Sequence, residues 1–487
     1  MTAVITVDRT TTGTPINPGI YGQYLEHVED CVEPGLITED GLRADVIQAA
    51  RELGVPAIRW PGGCFADTYH WADGVGTDRP VRPNWHWGNG QLESNRFGTH
   101  EFLDWCEQVG AAPYINVNLG TGSLTEALRW LDYCTGSADT ADVGARRSNG
   151  RPGPWRVAYW GIGNETWGSW EAGAMDNDRY ADTLANWAEF FHHYDPEAAI
   201  VGVGSSEGLD AEWDRTVLDR AGAQLDLLSL HVYAATVVGE ADARRAGLVQ
   251  FPVYVEQRIT AMAELIREHN RQYGRRVGIA VDEWNIRHWR PAGDDDYVLD
   301  RADRRTGSDA LCAAGFFHAM IKNADVVRMA NYVFLVNGNG VLDARDGQCR
   351  PTTLATIFRA YRELMNGAAV PVTVHGPQVP LAELCSGDPR PAADRAPQRA
   401  ALAALPPTVP AIDAAACRNA DGIRLSMINR CDQPIQVDLS AVHDQSGRIS
   451  VDRFVVDTAT EELSSSRTES APVLTLPPWS AAITRDV

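Results

Sequence analysis

The chain has no uninterrupted apolar run approaching the roughly 18 residues that a membrane-spanning helix needs. No transmembrane segment and no membrane partner are predicted. It also lacks clusters of positive charge. Its 43 Lys and Arg residues are outnumbered by 65 Asp and Glu, for a formal net charge of −22. Nucleic acid binding needs grouped cations to neutralise phosphates, so nucleic acid is excluded as a partner, and the acidic surplus is read as solubility. The nine cysteines are scattered, with no C-x-x-C pair and no His spacing suited to zinc. No metal and no other cofactor is expected, and the cysteines read as reduced thiols in a cytoplasmic protein. There is no P-loop, no H-E-x-x-H and no G-x-G-x-x-G. The first nine residues, Met1-Thr2-Ala3-Val4-Ile5-Thr6-Val7-Asp8-Arg9, lack a basic segment followed by a long apolar one, and read as a β-strand rather than a signal peptide.

What the chain does have is length and alternation. Its 487 residues, 44% apolar, suffice for one large barrel and a smaller domain. Short apolar runs alternate with amphipathic stretches over about three quarters of it. Strands are predicted near 16–24, 55–60, 113–118, 157–163, 199–203, 225–230, 277–283 and 326–336. Continuous apolar runs of this kind suit parallel strands buried on both faces. Helical patterns lie between them, over 43–53 and its stop at Gly54, over 101–109 with Thr99 as cap, after Ser123 in a capping-box pattern, and over 178–192 and 253–272. Eight strands alternating with helices favour a closed barrel over an open sheet.

The pattern changes after about Gly367. A Pro- and Ala-rich stretch at 388–410 reads as a flexible or extended excursion. Alternating β segments follow, as in Ile423-Arg424-Leu425-Ser426-Met427-Ile428-Asn429. The expected fold is α/β: a (β/α)8 TIM barrel over 17–367, with a jelly-roll-like antiparallel β-sandwich built from 1–16 and 368–487.

Two glutamates stand where strand patterns end. Glu165 closes Tyr159-Trp160-Gly161-Ile162-Gly163-Asn164-Glu165, and Glu283 closes Ile279-Ala280-Val281-Asp282-Glu283. Strand C-termini are where a (β/α)8 barrel carries its chemistry. On the fourth and seventh strands the two can face one substrate atom from opposite sides, as glycoside hydrolysis requires. The plainer readings are a turn glutamate and a carboxylate paired with an arginine. Arg59, at the end of the second strand, is placed to keep one carboxylate ionised. Gly62 and Gly63 after it allow backbone close to a ligand. Glu26-His27 after the first strand and His231-Val232-Tyr233 after the sixth add polar groups to the same face. Each alone reads as packing. Fifteen tryptophans point only weakly to a sugar cleft, since Trp is ordinary core material. A rival motif, Gly204-Ser205-Ser206-Glu207-Gly208, matches the G-x-S-x-G nucleophile elbow. It would make Ser206 a nucleophile with Asp226 and His231 behind it.

These segments resemble family 51 of the glycoside hydrolases, the α-L-arabinofuranosidases. The resemblance runs in order from Tyr21-Gly22-Gln23-Tyr24-Leu25-Glu26-His27 through Arg59-Trp60-Pro61-Gly62-Gly63 and Asn95-Arg96-Phe97-Gly98-Thr99 to Gly163-Asn164-Glu165, Ser229-Leu230-His231-Val232-Tyr233 and Asp282-Glu283-Trp284. It implies a retaining, exo-acting enzyme on arabinofuranose-containing glycosides, working without metal as a cytoplasmic homo-oligomer, commonly a hexamer. It makes Glu165 the acid/base and Glu283 the nucleophile. It places Glu26, Asn164 and Tyr233 as ligands to the furanose hydroxyls and Arg59 near the nucleophile; Cys64, His231 and Trp284 join them as substrate-binding candidates. Two departures bear on recognition. Cys64 stands where many relatives have Asn, and a thiol is a poorer hydrogen-bonding group. Arg350-Pro351-Thr352 stands where some relatives supply a glutamine. The same machinery on another sugar (galactofuranoside, xyloside or glucan) and a non-catalytic carbohydrate-binding barrel are the alternative readings.

Overall fold

Eight short strands close on themselves. They are β1 (Gly22–Tyr24), β2 (Ala57–Trp60), β3 (Ala112–Val117), β4 (Tyr159–Ile162), β5 (Ala199–Gly202), β6 (Leu227–Ala235), β7 (Gly278–Arg287) and β8 (Val327–Val333). Each pairs in parallel with its sequence neighbours, and β8 returns to β1. The computed structural model describes all residues except 88–89, 237–238, 294–295, 387–395, 443–447 and 486–487. None of the helices among the described residues is long and apolar enough to cross a membrane.

The strands differ from expectation where local chemistry overrides the apolar pattern. The first begins only at Gly22. Before it, Asn17-Pro18-Gly19 forms a 3-10 turn over Pro18–Tyr21, with the Asn17 side chain accepting from Gly19 N at 2.8 Å, as turn-forming residues favour. Gly98, not Thr99, occupies the cap of the helix Thr99–Val109. Glu101 accepts from Gly98 N, while the Thr99 hydroxyl accepts from Trp130 Nε1 at 3.0 Å. Ser123 caps its helix as expected, accepting from Glu126 N. In the Pro- and Ala-rich stretch, residues 396–403 are helical, and its first part lies outside the described residues.

The longest correction concerns β6 and β7. Both run beyond the barrel rim, paired from His231 opposite Glu283 to Ala235 opposite Arg287. His231 and Tyr233 thus stand on a strand rather than after one, and Glu283, expected at the end of its strand, lies within it. The register slips between Ser229 and His231 on β6, and between Val281 and Trp284 on the β8 side of β7. Such a bulge breaks the in–out alternation of a strand. Here two successive carboxylates, Asp282 and Glu283, both bond to the buried Arg59. Trp284 then faces the other way. It is fully buried, with its ring 4.8 Å from Phe316, 4.9 Å from Tyr332 and 5.9 Å from Phe358. Trp284 is core between β7 and the helices, not a sugar contact. Trp60, Trp105, Trp130 and Trp160 are fully buried as well.

The second layer system is a sandwich. One sheet orders Val372–His375, Thr2–Val7, Ile435–Asp438 and Val473–Leu476; the N-terminal strand pairs in parallel with Ile435–Asp438 and the other pairings are antiparallel. The other sheet has seven strands centred on Ile412–Asn419 and Gly422–Asn429. Their inner faces form a separate apolar core that includes Ile5, Leu425, Val437 and Leu476. The helix Gly307–Lys322 is almost wholly buried because the sandwich covers its outer side. There His318 bridges Asp413 and Ser426, both at 2.8 Å, and Lys322 and Arg430 also meet Asp413.

Placing Trp284 in the core has a direct consequence. Trp284→Ala should cost about 3–5 kcal/mol of stability in denaturant unfolding, whereas Trp284→Phe should leave ligand affinity unchanged. A sugar-stacking residue would behave the other way round, losing affinity with little change in stability.

Candidate active site

The turn after β2 brings backbone against carboxylates. Gly62 has φ +146°, and a Cβ there would sit 2.5 Å from Glu26 Cγ. A Cβ on Gly63 would sit 2.3 Å from Glu283 Oε1. The two glycines therefore make room for the protein's own acids. Glu26 in turn accepts from Gly63 N at 3.2 Å and Phe65 N at 3.0 Å.

Glu165 follows β4 through Gly163 and Asn164, and holds φ +39° itself, a conformation that costs a non-glycine residue about 1–3 kcal/mol. Its Oε2 accepts from Trp170 Nε1 at 3.3 Å, and its Oε1 lies 2.8 Å from His231 Nδ1. Glu283 receives Arg59 Nη1 at 2.7 Å, the Tyr233 hydroxyl, and the Tyr24 hydroxyl at 3.5 Å. His231 Nδ1 is also 3.5 Å from Glu283 Oε2, and its Nε2 is 3.5 Å from Asp282 Oδ1. One oxygen each of Glu165 and Glu283 and a His231 nitrogen all lie within 4.8 Å of one another.

The electrostatics follow from packing these groups together. Burial opposes charge on His231, but Glu283, Asp282 and Glu165 overcome it and push the imidazole up to about 10. Burial also opposes charge on Asp282, yet Arg59 and His231 bring it down to about 2. On Glu26 the pull of Arg301 and Arg59 is too weak to do the same. Burial first, then repulsion from Glu283, raises it to about 7. Burial and the Glu165 charge push Glu171 up to about 9. The site thus packs cationic and anionic groups together, flanked by Glu171, which stays protonated at neutrality, and Glu26, which titrates near it.

Glu26, Cys64, Glu165, His231, Tyr233 and Glu283 line one cavity of about 410 Å³. Arg59 and Asn164 do not. Each is 1% exposed and lies beneath it. The Asn164 oxygen accepts from Arg59 Nη2 at 2.8 Å, and its nitrogen donates to Glu171 Oε1 at 3.2 Å, so Asn164 is held as a spacer between the two. Trp284 is absent from the cavity, as its core position requires. His27 is structural, bonded to Glu93 and Trp60. Pro351 lies on a different hollow. Asp282, Glu171, His86, Trp170, Asn285 and Arg301 were not singled out from the sequence. Asp282 and Asn285 had a signal, their closeness to Glu283 on β7; the other four had none, because loops far apart in the chain bring them in.

The serine-elbow reading fails on geometry. Ser206 lies at the cavity wall, but Asp226 accepts from Ile200 N at the opposite end of β5, at 2.9 Å. Both ring nitrogens of His231 face carboxylates.

Two close carboxylates in a cavity at the C-terminal end of a closed (β/α)8 barrel define a barrel glycoside hydrolase. The sequence model of the alpha-L-arabinofuranosidase 1 domain matches residues 49–245, and that of the alpha-L-arabinofuranosidase C-terminal domain matches 282–471. The chain is 36% identical over 372 residues to alpha-L-arabinofuranosidase C of Emericella nidulans, covering 69% of this chain and 70% of that one. It is 30% identical over 431 residues to an intracellular exo-alpha-L-arabinofuranosidase of Bacteroides ovatus, covering 84% and 78%. The crystal structure of an alpha-L-arabinofuranosidase from Thermotoga maritima, in an arabinose complex, superposes over 99% of both chains with a TM-score of 0.82 and 28% identity. The chain belongs to glycoside hydrolase family 51, the α-L-arabinofuranosidases.

The raised acids predict how stability depends on pH. Between pH 4.5 and about 7 the folded protein keeps a proton on Glu26 that the unfolded chain has lost. Stability therefore falls as pH rises through that window, by up to about 3 kcal/mol from this group. The stabilisation from His231 is complete below 6.5 and is lost as pH rises through about 10. Thermal unfolding should show Tm declining from weakly acid to alkaline pH, and Glu26→Gln should flatten only the part below neutrality. A Tm that rises with pH through neutrality would contradict these assignments.

Proposed function

We propose that this chain removes terminal non-reducing α-L-arabinofuranosyl residues by double displacement. Glu283 attacks the anomeric carbon while the Glu165 carboxyl protonates the departing oxygen. Water then cleaves the glycosyl-enzyme ester with Glu165 acting as base. The observation that carries this reading is the closeness of the Glu165 and Glu283 oxygens, within 4.8 Å. Retaining enzymes hold their carboxyl groups about 5–5.5 Å apart, and inverting ones leave room for a water between them.

The surroundings support the division of roles. Glu283 takes hydrogen bonds from Arg59 and Tyr233, which favour an ionised, oriented nucleophile. Glu165 has no arginine partner among the described residues and stands beside Trp170 at the cavity mouth, where a leaving group departs. Glu26 and Tyr233 on the cavity wall are assigned to the sugar hydroxyls, and His231 orients both glutamates. Cys64 is assigned to the same wall. Arg59 and Asn164 act from below by positioning Glu283 and the floor of the cavity. The catalytic unit is assigned to 17–367, and the sandwich of 1–16 with 368–487 braces it. The intracellular Bacteroides ovatus relative and nine free thiols support a cytoplasmic location. The family resemblance extends this to a homo-oligomer, a hexamer, whose mass light scattering reads directly.

An aryl α-L-arabinofuranoside tests the roles. Glu283→Gly should abolish turnover. Glu165→Ala should lose roughly 10²–10⁴-fold in rate, the usual worth of a general acid/base, and azide should restore part of it by replacing the missing base-activated water. Near wild-type rates in either variant would overturn the assignment.

A further inference from the structure

Three side chains of different ligand chemistry converge in the cavity wall beside the glutamate pair. Cys64 comes from the turn after β2, His86 from the long loop that follows, and Glu171 from the loop after β4. One ligand atom from each lies within 4.8 Å of the other two. His86 Nδ1 is 3.9 Å from Glu171 Oε2. That oxygen is buried and makes no hydrogen bond, on a residue only 4% exposed. A proton satisfies that buried carboxyl in the metal-free protein, and a cation can take the proton's place. Cys64 and His86 both face the cavity, so a site here is open to solutes.

Sulfur, imidazole nitrogen and carboxylate oxygen together are a ligand set for zinc and for chemically similar divalent ions, with one coordination position left open. Zinc bonds of about 2.0–2.3 Å put neighbouring tetrahedral ligand atoms roughly 3.3–3.6 Å apart. The three groups need close by little more than an ångström. We propose that Cys64, His86 and Glu171 bind a zinc-class divalent cation at the cavity wall, and that the bound ion excludes the sugar. Asn164 Nδ2 already reaches Cys64 Sγ at 3.9 Å and Glu171 Oε1 at 3.2 Å. An ion drawn onto those two side chains therefore also disturbs the residue that precedes Glu165. The exclusion of sugar rests on the arabinofuranosidase reading; the binding of the ion does not.

Cobalt(II) replaces zinc in such sites and reports a thiolate ligand by its charge-transfer absorption. The full chain, freed of metal with a chelator that is then removed, is titrated with cobalt. The expected result is one equivalent bound with a thiolate-to-cobalt band, displaced by zinc. Cys64→Ser should abolish the band, and His86→Ala and Glu171→Gln should each weaken binding at least roughly tenfold. In kinetics on the aryl arabinofuranoside, zinc should raise KM and leave kcat unchanged, with the three variants resistant. No band, or a band that survives Cys64→Ser because another cysteine binds the cobalt, overturns the site. A band with KM unmoved by zinc overturns the exclusion of sugar. A chain that binds cobalt as expected but hydrolyses no arabinofuranoside overturns the functional reading and leaves the site standing.

Discussion

One buried guanidinium organises the centre of this protein. Arg59 rises from the end of β2, 1% exposed, and reaches Glu283 and Asp282 on β7 and the Asn164 amide after β4. Its charge lies between the rings of Tyr24 and Tyr114. A charge taken this far out of water is tolerable only when paired and hydrogen-bonded. Those partners are the carboxylates and the Asn164 amide that the site needs in place. The ion pair therefore ties β2 to β7 and the β4 loop, and sets where the Glu283 carboxylate points.

The other constraints serve the same end. The bulge on β7 lets Asp282 and Glu283 share Arg59, and its cost falls on Trp284, which takes the outward position in the core. Gly62 and Gly63 let the β2 turn press against Glu26 and Glu283 where any side chain would collide. The positive φ of Glu165 turns its carboxyl back over the cavity toward His231. Local strain and buried charge are concentrated at the site, while the alternating apolar strands and the sandwich behind the helix Gly307–Lys322 provide the stability that tolerates them.

Much of this was legible in the chain. Parallel strands buried on both faces leave continuous apolar runs, so all eight barrel strands were visible with shifted ends, and Glu165 and Glu283 stood out by where those runs stop. Strand ends were less legible because turn chemistry, as in Asn17-Pro18-Gly19, and pairing beyond the rim, as between Tyr233 and Asn285, override hydrophobicity. Trp284, expected among the substrate-binding residues, is core instead, because a bulge is invisible in a hydrophobic pattern. Glu171 and His86 carried no signal at all. Their meeting with Cys64 depends on two loops closing over the cavity, and no spacing along the chain encodes that. The absence of a local zinc motif therefore said nothing about ligands assembled from separate loops.

The central claim is that the two carboxylates are close enough, and differently enough held, for one to act as nucleophile. Proton NMR of the first sugar released from an aryl α-L-arabinofuranoside tests it most directly, before mutarotation blurs the product. Double displacement through Glu283 predicts that α-L-arabinofuranose forms first. First appearance of the β anomer would mean a single displacement by water, and would contradict the account.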